Sequence, residues 1–288
     1  MYKISTYLLT LLIVLTVFTS CKKEYETIEE LDNKSIKSYK DTHQSLTFTD
    51  VNGYSYSITS QGTGSAVVNT DSVYYSYVFK SISGKIYNQT NDLTIIGNLL
   101  GYTDEFTPGG LKYSFKPVRE VLGKLKRGGK ALLLLPSRMA FGKNGLSSIG
   151  IGSNETIVVE LTLYPFEKRH EVDNYEISTF IARNNLTFDT DVSGIKYKVI
   201  TPGTGDKQIE GGSNITANYT VRYLDGTVLE TGSGYPAKMD NLNLYKGWRI
   251  MLPGRLKAGG KIRMILPAHL GNGTNTLDFD IEVTAVTD

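Results

Sequence analysis

The sequence predicts an α+β protein that contains the same domain twice, each copy being a β-sheet curled over a short helix and preceded by another helix. Short blocks of sequence recur at a constant distance: Asp32-Asn33 returns as Asp173-Asn174, and Gly62-Thr63-Gly64 returns as Gly203-Thr204-Gly205, both 141 positions later. Within each copy, several stretches alternate apolar and polar residues, which is the period of a strand, and one stretch between them has the period of a helix. Repeats in solenoids and propellers are about 20–50 residues long, so this longer period indicates two globular domains.

The composition is that of a globular protein without a nucleic-acid partner. The chain has 288 residues, of which 40% are hydrophobic, and this length agrees with two domains of roughly 100–200 residues each. Its 31 basic and 29 acidic residues nearly cancel, and basic residues cluster only in pairs such as Lys22-Lys23. Binding to nucleic acid depends on clustered positive charge, so we expect none.

No residue pattern indicates a metal, a cofactor or a covalent catalyst. The three histidines, His43, His170 and His269, are far apart in the sequence, and no Cys/His/carboxylate group has the spacing of metal ligands. The glycine blocks lack the third glycine of a dinucleotide site, and no Gly-x-Ser-x-Gly elbow is present. We therefore expect no cofactor, and neither hydrolase nor dehydrogenase chemistry.

The first 21 residues are typical of a bacterial lipoprotein signal. Lys3 gives a positive start, an apolar run of 12 residues extends from Tyr7 to Phe18, and small residues then lead to Cys21, the only cysteine of the chain. An uncleaved anchor helix is the alternative, but such a helix needs about 20 apolar residues. We expect residues 1–20 to be removed and Cys21 to become the lipidated first residue, which would attach the protein to the bacterial envelope, at the outer membrane, on its periplasmic or surface face.

A helix is predicted ahead of each copy. Ile28, Leu31, Ile36 and Tyr39 have nearly helical spacing, and the residues from Val172 to Asn184 give a similar but looser pattern. Between the strands of the first copy, another helix is predicted from Pro117, which suits a first turn, through Leu125, with Gly128-Gly129 as its stop.

The strands follow from alternation and from turn signals. Each copy has matching segments, which are Tyr54–Ile58, Val73–Phe79, Ala131–Leu135 and Ile157–Leu163 in the first, and Ile195–Val199, Ile215–Tyr223, Ile262–Leu266 and Leu277–Val283 in the second. The predicted divisions of the chain are a signal at 1–20, a tether and helix at 21–45, a first domain at 46–167, a helical connector at 168–190 and a second domain at 191–288.

The order of short motifs resembles that of the FKBP-type peptidyl-prolyl isomerases. The second copy contains Tyr219, Asp225-Gly226-Thr227-Val228-Leu229, Lys246-Gly247-Trp248, Gly259-Gly260-Lys261, Leu266-Pro267 and Leu277-Asp278-Phe279. The first copy contains Tyr77, Gly84-Lys85-Ile86-Tyr87, Gly128-Gly129-Lys130, Leu135-Pro136, Ala140-Phe141-Gly142 and Ile151-Gly152-Ser153-Asn154-Glu155-Thr156. The shared order in two copies, across nearly all of residues 46–288, carries the resemblance.

This resemblance implies an antiparallel sheet of five or six strands wrapped on a short helix, and a pocket with a tryptophan floor and aromatic walls that receives a proline ring. Rotation about an X-Pro bond meets a barrier near 18–20 kcal/mol because amide resonance must be broken. A dry aromatic cleft disfavours the polar planar amide relative to the twisted one, so no nucleophile or metal is needed.

The resemblance also implies pocket residues in each copy. In the first copy Tyr77, Tyr87, Phe141 and Ile151 fit pocket positions, whereas Val118 replaces the floor tryptophan and Asn88 replaces the usual acid. In the second copy Tyr219, Trp248 and Phe279 fit, and Glu230 is the acid. The flap that resembles Ile151–Thr156 is nearly absent from the second copy, where three residues join Gly273 to Leu277. Large aromatic residues on strands are more often core than pocket, so both roles stay open for Tyr77, Tyr219 and Trp248.

Two functions are therefore predicted as alternatives. One is a lipid-anchored prolyl isomerase that assists the folding of proline-containing polypeptides in the envelope, an enzyme of the kind usual in the family. The other is a non-catalytic polypeptide-binding or scaffold lipoprotein with two FKBP-like domains, as the short flap of the second copy and Val118 of the first favour.

Overall fold

Two antiparallel sheets, one in each copy, form the framework of the chain. A computed structural model describes residues 26–106 and 112–287, so the predicted lipoprotein signal and Cys21 lie outside the described residues. The strands of the first copy are β1 (Thr49–Val51), β2 (Tyr54–Ser60), β3 (Ser72–Ser81), β4 (Ile86–Gln89), β5 (Ile96–Leu99), β6 (Glu105–Phe106), β7 (Tyr113–Ser114), β8 (Lys130–Leu135) and β9 (Ile157–Leu163). Those of the second are β10 (Asp189–Thr190), β11 (Lys196–Thr201), β12 (Asn214–Arg222), β13 (Val228–Lys238), β14 (Lys261–Leu266) and β15 (Leu277–Thr287).

The two sheets have the same strand order. The first runs β1-β2-β8-β9-β3-β4, with β5 also paired to β3, and the second runs β10-β11-β14-β15-β12-β13. The first copy adds a two-stranded ribbon, β6-β7, which has no counterpart among the described strands of the second. The predicted α+β class and the predicted duplication are therefore confirmed.

The chain forms four α-helices among the described residues. They are α1 (Ile28–Thr42), α2 (Lys116–Leu122), α3 (Arg169–Arg183) and α4 (Lys246–Met251). Helices α2 and α4 lie in the main cores, where Val121, Leu122 and Met251 are fully buried. Among residues 26–106 and 112–287, no helix has the length and apolar character needed to cross a bilayer.

The predicted extension of α2 through Leu125 is wrong, because the helix ends at Leu122. Beyond it, the amides of Lys126 and Arg127 donate to the carbonyls of Gln61 and Ser65 instead of continuing the helical ladder. The turn still buries Leu125, which explains why the apolar spacing extends past the end of the helix.

Helix α1 covers the outer face of the first sheet. Its Ile36 is buried with Leu132, Leu134 and Val158, which point away from the main core of that copy. A capping box at Thr27 and Glu30 fixes the beginning of the helix. Strand β8 is consequently buried on both faces, which accounts for its unbroken run of leucines.

Helix α3 covers the outer face of the second sheet and also contacts the first copy. Ile177 and Phe180 pack with Leu224 and Ile265 of the second copy, whereas Val172 packs with Tyr74 and Ile95 of the first. The buried carboxylate of Glu176 accepts hydrogen bonds from the Ile95 amide and the Thr276 hydroxyl, both at 2.9 Å. One helix thus joins the two copies by packing and by hydrogen bonds.

Replacing Glu176 with glutamine should flatten the pH dependence of stability. Burial raises the pKa of the Glu176 carboxyl from 4.5 to about 7, against the lowering effect of Arg169. The folded state therefore keeps a proton that the unfolded state releases, so this contribution is complete below pH 4.5 and is lost as the pH rises through 7. One pKa unit corresponds to about 1.4 kcal/mol, so we expect a difference of up to roughly 3 kcal/mol.

Denaturant unfolding of the wild type and Glu176→Gln at pH 5 and pH 8 checks this expectation. The wild type should lose more stability between the two values than the variant, in which the side chain does not titrate. Equal losses would show that Glu176 keeps the same protonation state in the folded and unfolded chains.

Candidate functional site

An aromatic cluster fills the concave side of the first sheet. Tyr77 and Phe79 come from β3, Phe106 comes from β6, and Phe115 directly precedes α2. The Phe79 ring lies 4.9 Å from Tyr77, 4.5 Å from Phe106 and 5.5 Å from Phe115, between ring centroids. These separations are typical of edge-to-face and offset aromatic packing.

These rings line a cavity of about 350 Å³, which we call the aromatic cavity. Its lining residues are Tyr75, Tyr77, Phe79, Asn88, Ile96, Asn98, Thr103, Asp104, Glu105, Phe106, Phe115 and Val118. Val118, at the position of the expected floor tryptophan, lies in α2 beneath it. The volume is within the ~300–1,000 Å³ usual for small-ligand sites. The rings share this lining with five polar or charged side chains, so the cavity offers a proline ring an aromatic wall and its flanking amide several polar groups.

A neutral hydrogen bond lies in the wall of the aromatic cavity. The Tyr77 hydroxyl donates to the Asn88 side-chain oxygen at 2.8 Å. Burial raises the pKa of Tyr77 above its ordinary value of 10, so the hydroxyl stays protonated at neutral pH. Near the mouth, Arg119 lies 3.6 Å from the Asp104 carboxylate and partly neutralises it.

Three other residues expected in the first pocket lie outside this lining. Phe141 packs edge-on against two of the wall rings, with centroids 6.4 Å from Phe79 and 5.4 Å from Phe115. Tyr87 instead donates its hydroxyl to Glu155, and burial, together with this hydrogen bond, raises the pKa of Tyr87 to about 12. Ile151 is buried and pairs with the Leu146 backbone.

Sequence reasoning missed Phe106 and Phe115 as parts of the site. Phe106 belongs to the β6-β7 ribbon, and Phe115 follows that ribbon immediately. The ribbon falls in a segment where the first copy is longer than the second, so the repeat offered no counterpart to compare. The sequence did contain one signal for these residues, which is the valine at position 118 in place of the expected tryptophan. The smaller side chain leaves space beneath the sheet, and other aromatic rings have to line it.

The aromatic residues expected in the second copy also come together. The Tyr219 hydroxyl donates to the Glu230 carboxylate at 2.5 Å, which repeats the Tyr77–Asn88 pair at the matching strand positions. Trp248 lies 5.2 Å from Tyr219 and 6.2 Å from Phe279, between ring centroids. Burial, together with the bond to Glu230, raises the pKa of Tyr219.

This second cluster is closed to solvent. Trp248 is 1% exposed and Phe279 is 0% exposed, and the exposed ring of Tyr235 packs against Tyr219 and Trp248. The Trp248 Nε1 donor is buried without a hydrogen-bond partner. A groove of about 480 Å³ that borders Tyr219 is lined mainly by polar residues of the opposite sheet face, such as Asn218 and Glu282, and is separate from the indole.

Comparison with known proteins finds a family match in the second copy. Residues 205–285 match the family described as FKBP-type peptidyl-prolyl cis-trans isomerase. The chain is 29% identical over 116 residues to the outer membrane protein MIP of Legionella longbeachae, which is 39% of this chain and 49% of that protein. It is also 29% identical over 102 residues to the FKBP-type peptidyl-prolyl cis-trans isomerase FkpA of Buchnera aphidicola, which is 32% of this chain and 40% of that protein.

Two solved structures align with this chain at low TM-scores. Alignment with FkpA of Escherichia coli covers 56% of this chain and 70% of that one, at 23% identity and a TM-score of 0.33. Alignment with the three FKBP domains of wheat FKBP73 covers 84% and 99%, at 15% identity and a TM-score of 0.33. The chain spans about half, or less, of the length of the curated relatives it matches.

Proposed function

We propose that this chain is an FKBP-type peptidyl-prolyl cis-trans isomerase, the family that its residues 205–285 match, and that it catalyses X-Pro isomerisation in exported polypeptides with the aromatic cavity of its first domain. The observation that carries this proposal is the cavity of about 350 Å³ lined by Tyr77, Phe79, Phe106 and Phe115. The corresponding cluster of the second domain has no solvent-open indole, although it keeps more of the family pattern.

The cavity suits isomerisation for physical reasons. The planar X-Pro amide is more polar than the twisted form, so its transfer from water to a ring-lined wall weakens the planar ground state relative to the transition state. The Tyr77–Asn88 pair adds polarity to this wall without adding a charge. Neither a proton transfer nor a covalent intermediate is required.

We infer that the protein is held at the bacterial envelope by lipid on Cys21, at the outer membrane. The apolar run before Cys21 supports this inference, as does the printed name of the Legionella relative. Mass spectrometry of the N-terminal peptide from membranes tests it, because the mature protein should begin at a lipidated Cys21. An unmodified Met1 terminus would contradict it.

The proposed activity is tested with the full chain, purified in detergent, on peptides with several residues before proline. Uncatalysed isomerisation takes tens to hundreds of seconds at 25 °C, so acceleration is read directly from the relaxation rate. We expect a rate that increases linearly with protein concentration. A rate equal to the uncatalysed one with every peptide would contradict the proposal.

A non-catalytic binding function is the second candidate, and the closed Trp248 together with Val118 in the first domain favours it. In that case the cavity would hold apolar side chains of unfolded polypeptide without twisting the amide. Titration with an unfolded client would give saturable binding while the isomerisation rate stayed uncatalysed. Displacement of the client by a short proline peptide would show that the two compete for the same site.

A further inference from the structure

A single buried carboxylate holds both ends of the loop that carries Phe141. Asp32, on α1, is 2% exposed. It accepts hydrogen bonds from the Ser137 amide at 3.0 Å and the Ser137 hydroxyl at 2.8 Å. Its Oδ1 atom, which the Ser137 amide also contacts, accepts from the Thr156 hydroxyl at 2.7 Å. Ser137 and Thr156 bound a segment of irregular structure and short 3-10 turns, which we call the 137–156 loop.

The 137–156 loop packs against the aromatic cavity. Its Phe141 ring contacts Phe79 and Phe115, and these two rings line the cavity. Its Ile151 is buried in the same core. A shift of the loop would therefore move Phe141, which packs against the cavity rings Phe79 and Phe115. Asp32 itself lies on the outer face of the sheet.

We propose that Asp32 is a positioning residue for the aromatic cavity, so that the helix ahead of the first domain sets the geometry of its site. This inference rests on the proposed function. An ionised carboxylate can accept several hydrogen bonds at once, and bonds to a charged acceptor are stronger than neutral ones. The backbone hydrogen bonds of the loop, such as that from the Asn154 amide to the Gly142 carbonyl, connect the loop to itself, whereas the bonds to Asp32 attach its two ends to α1.

The second domain has similar hydrogen bonds between its preceding helix and a loop, but that loop does not support a cavity wall. Asp173, at the matching place on α3, accepts from the Ala268 amide at 3.0 Å, and Glu176 accepts from the Thr276 hydroxyl. The segment 268–276 is less than half as long as the 137–156 loop and contains no Phe, Tyr or Trp. Hydrogen bonds from the helix to the loop thus occur in both copies. Only in the first copy does the bonded loop pack against the aromatic cavity.

Asp32→Asn tests the proposal with a side chain of nearly the same size. The amide has one accepting oxygen, and its NH₂ group would face donors, so at least one bond to the loop is lost. Trypsin can cleave after Arg138 and Lys143, which are exposed on the 137–156 loop. We expect native-state cleavage at these two sites to be at least tenfold faster, and kcat/KM to be at least tenfold lower with an increased KM.

Asp41→Asn is the matched control, because Asp41 is on the same helix, is exposed and pairs with Lys37. It should leave both cleavage and catalysis unchanged. Thr156→Val and Thr156→Ser form a second pair, in which only the valine variant loses the hydroxyl donated to Asp32. The valine variant should show the same KM effect in smaller degree, and the serine variant should behave as the wild type, even if Asp32→Asn fails to fold.

Two results would overturn the proposal. One is cleavage in Asp32→Asn and Thr156→Val at the wild-type rate, which would show that the carboxylate does not hold the loop. The other is faster cleavage with unchanged kcat and KM, which would show that the loop does not position the site. A wild type without isomerase activity would refute the proposed function, whereas the cleavage assay would still report whether the Asp32 contact holds the loop.

Discussion

Replacing Phe279 with alanine is expected to lower the free energy of unfolding of the second domain by about 3–5 kcal/mol. Phe279 is 0% exposed on β15, and its ring packs against Tyr245 at 5.0 Å and Trp248 at 6.2 Å. Removing the ring loses the free energy of its transfer from water into the core, and it leaves a cavity that the surrounding strands cannot fully close. Trp248 is the only tryptophan of the chain, so its emission reports unfolding of this domain in a denaturant titration.

Val228→Ala is the control for this measurement. Val228 lies on β13 of the same domain and is 54% exposed, so its replacement should change stability by no more than about 0.5 kcal/mol. If Phe279→Ala had an equally small effect, the second aromatic cluster would be loosely packed and able to open. If the first domain houses the activity, the folded Phe279→Ala protein should also keep the wild-type isomerisation rate.

Replacing Phe106 with alanine should lower kcat/KM for X-Pro isomerisation by roughly 10- to 100-fold. Burial of one aromatic side chain contributes about 1.5–3 kcal/mol, and each 1.4 kcal/mol of lost transition-state stabilisation is a tenfold loss of rate. The Phe106 ring lies 5.0 Å from Tyr77 and 4.5 Å from Phe79, in the wall of the aromatic cavity. Relaxation kinetics with the best peptide of the series give the change, and circular dichroism checks that the sheets are intact.

Tyr102→Ala provides the comparison, because Tyr102 is in the same region of the chain but is 59% exposed and does not line the aromatic cavity. It should keep kcat/KM within about twofold, which is less than 0.5 kcal/mol. An active wild type with an equally active Phe106→Ala variant would place catalysis outside the aromatic cavity, and the second domain would be the next site to test.

The fold was largely predictable because its signals are local and occur twice. Alternation along Val73–Phe79 and along Ile215–Tyr223 defines the central strands, and the repeat shows that both belong to one architecture. The packing of α1 and α3 on the outer faces was not predicted. The run Ala131–Leu135 did contain the signal, since apolar residues on both sides of a strand require cover on both faces.

The candidate site was less predictable, because burial depends on residues distant in sequence. Tyr77 could be chosen from its strand and from the repeat, whereas Phe106 and Phe115 lie in or beside a ribbon without a counterpart. The choice between core and pocket for Trp248 depends on Tyr235, which is on another strand and contacts it from the side. No spacing rule within one strand or helix contains that information.

The outer-face helices determine where the protein can be divided. Leu224 and Ile265 are covered by Ile177 and Phe180 of α3, so a polypeptide that began at residue 191 would leave them in contact with water. Such a fragment should self-associate through the uncovered face, whereas one beginning before Arg169 keeps Leu224 and Ile265 covered. A sheet together with the helix that comes before it is thus the unit in which both faces of the sheet stay covered.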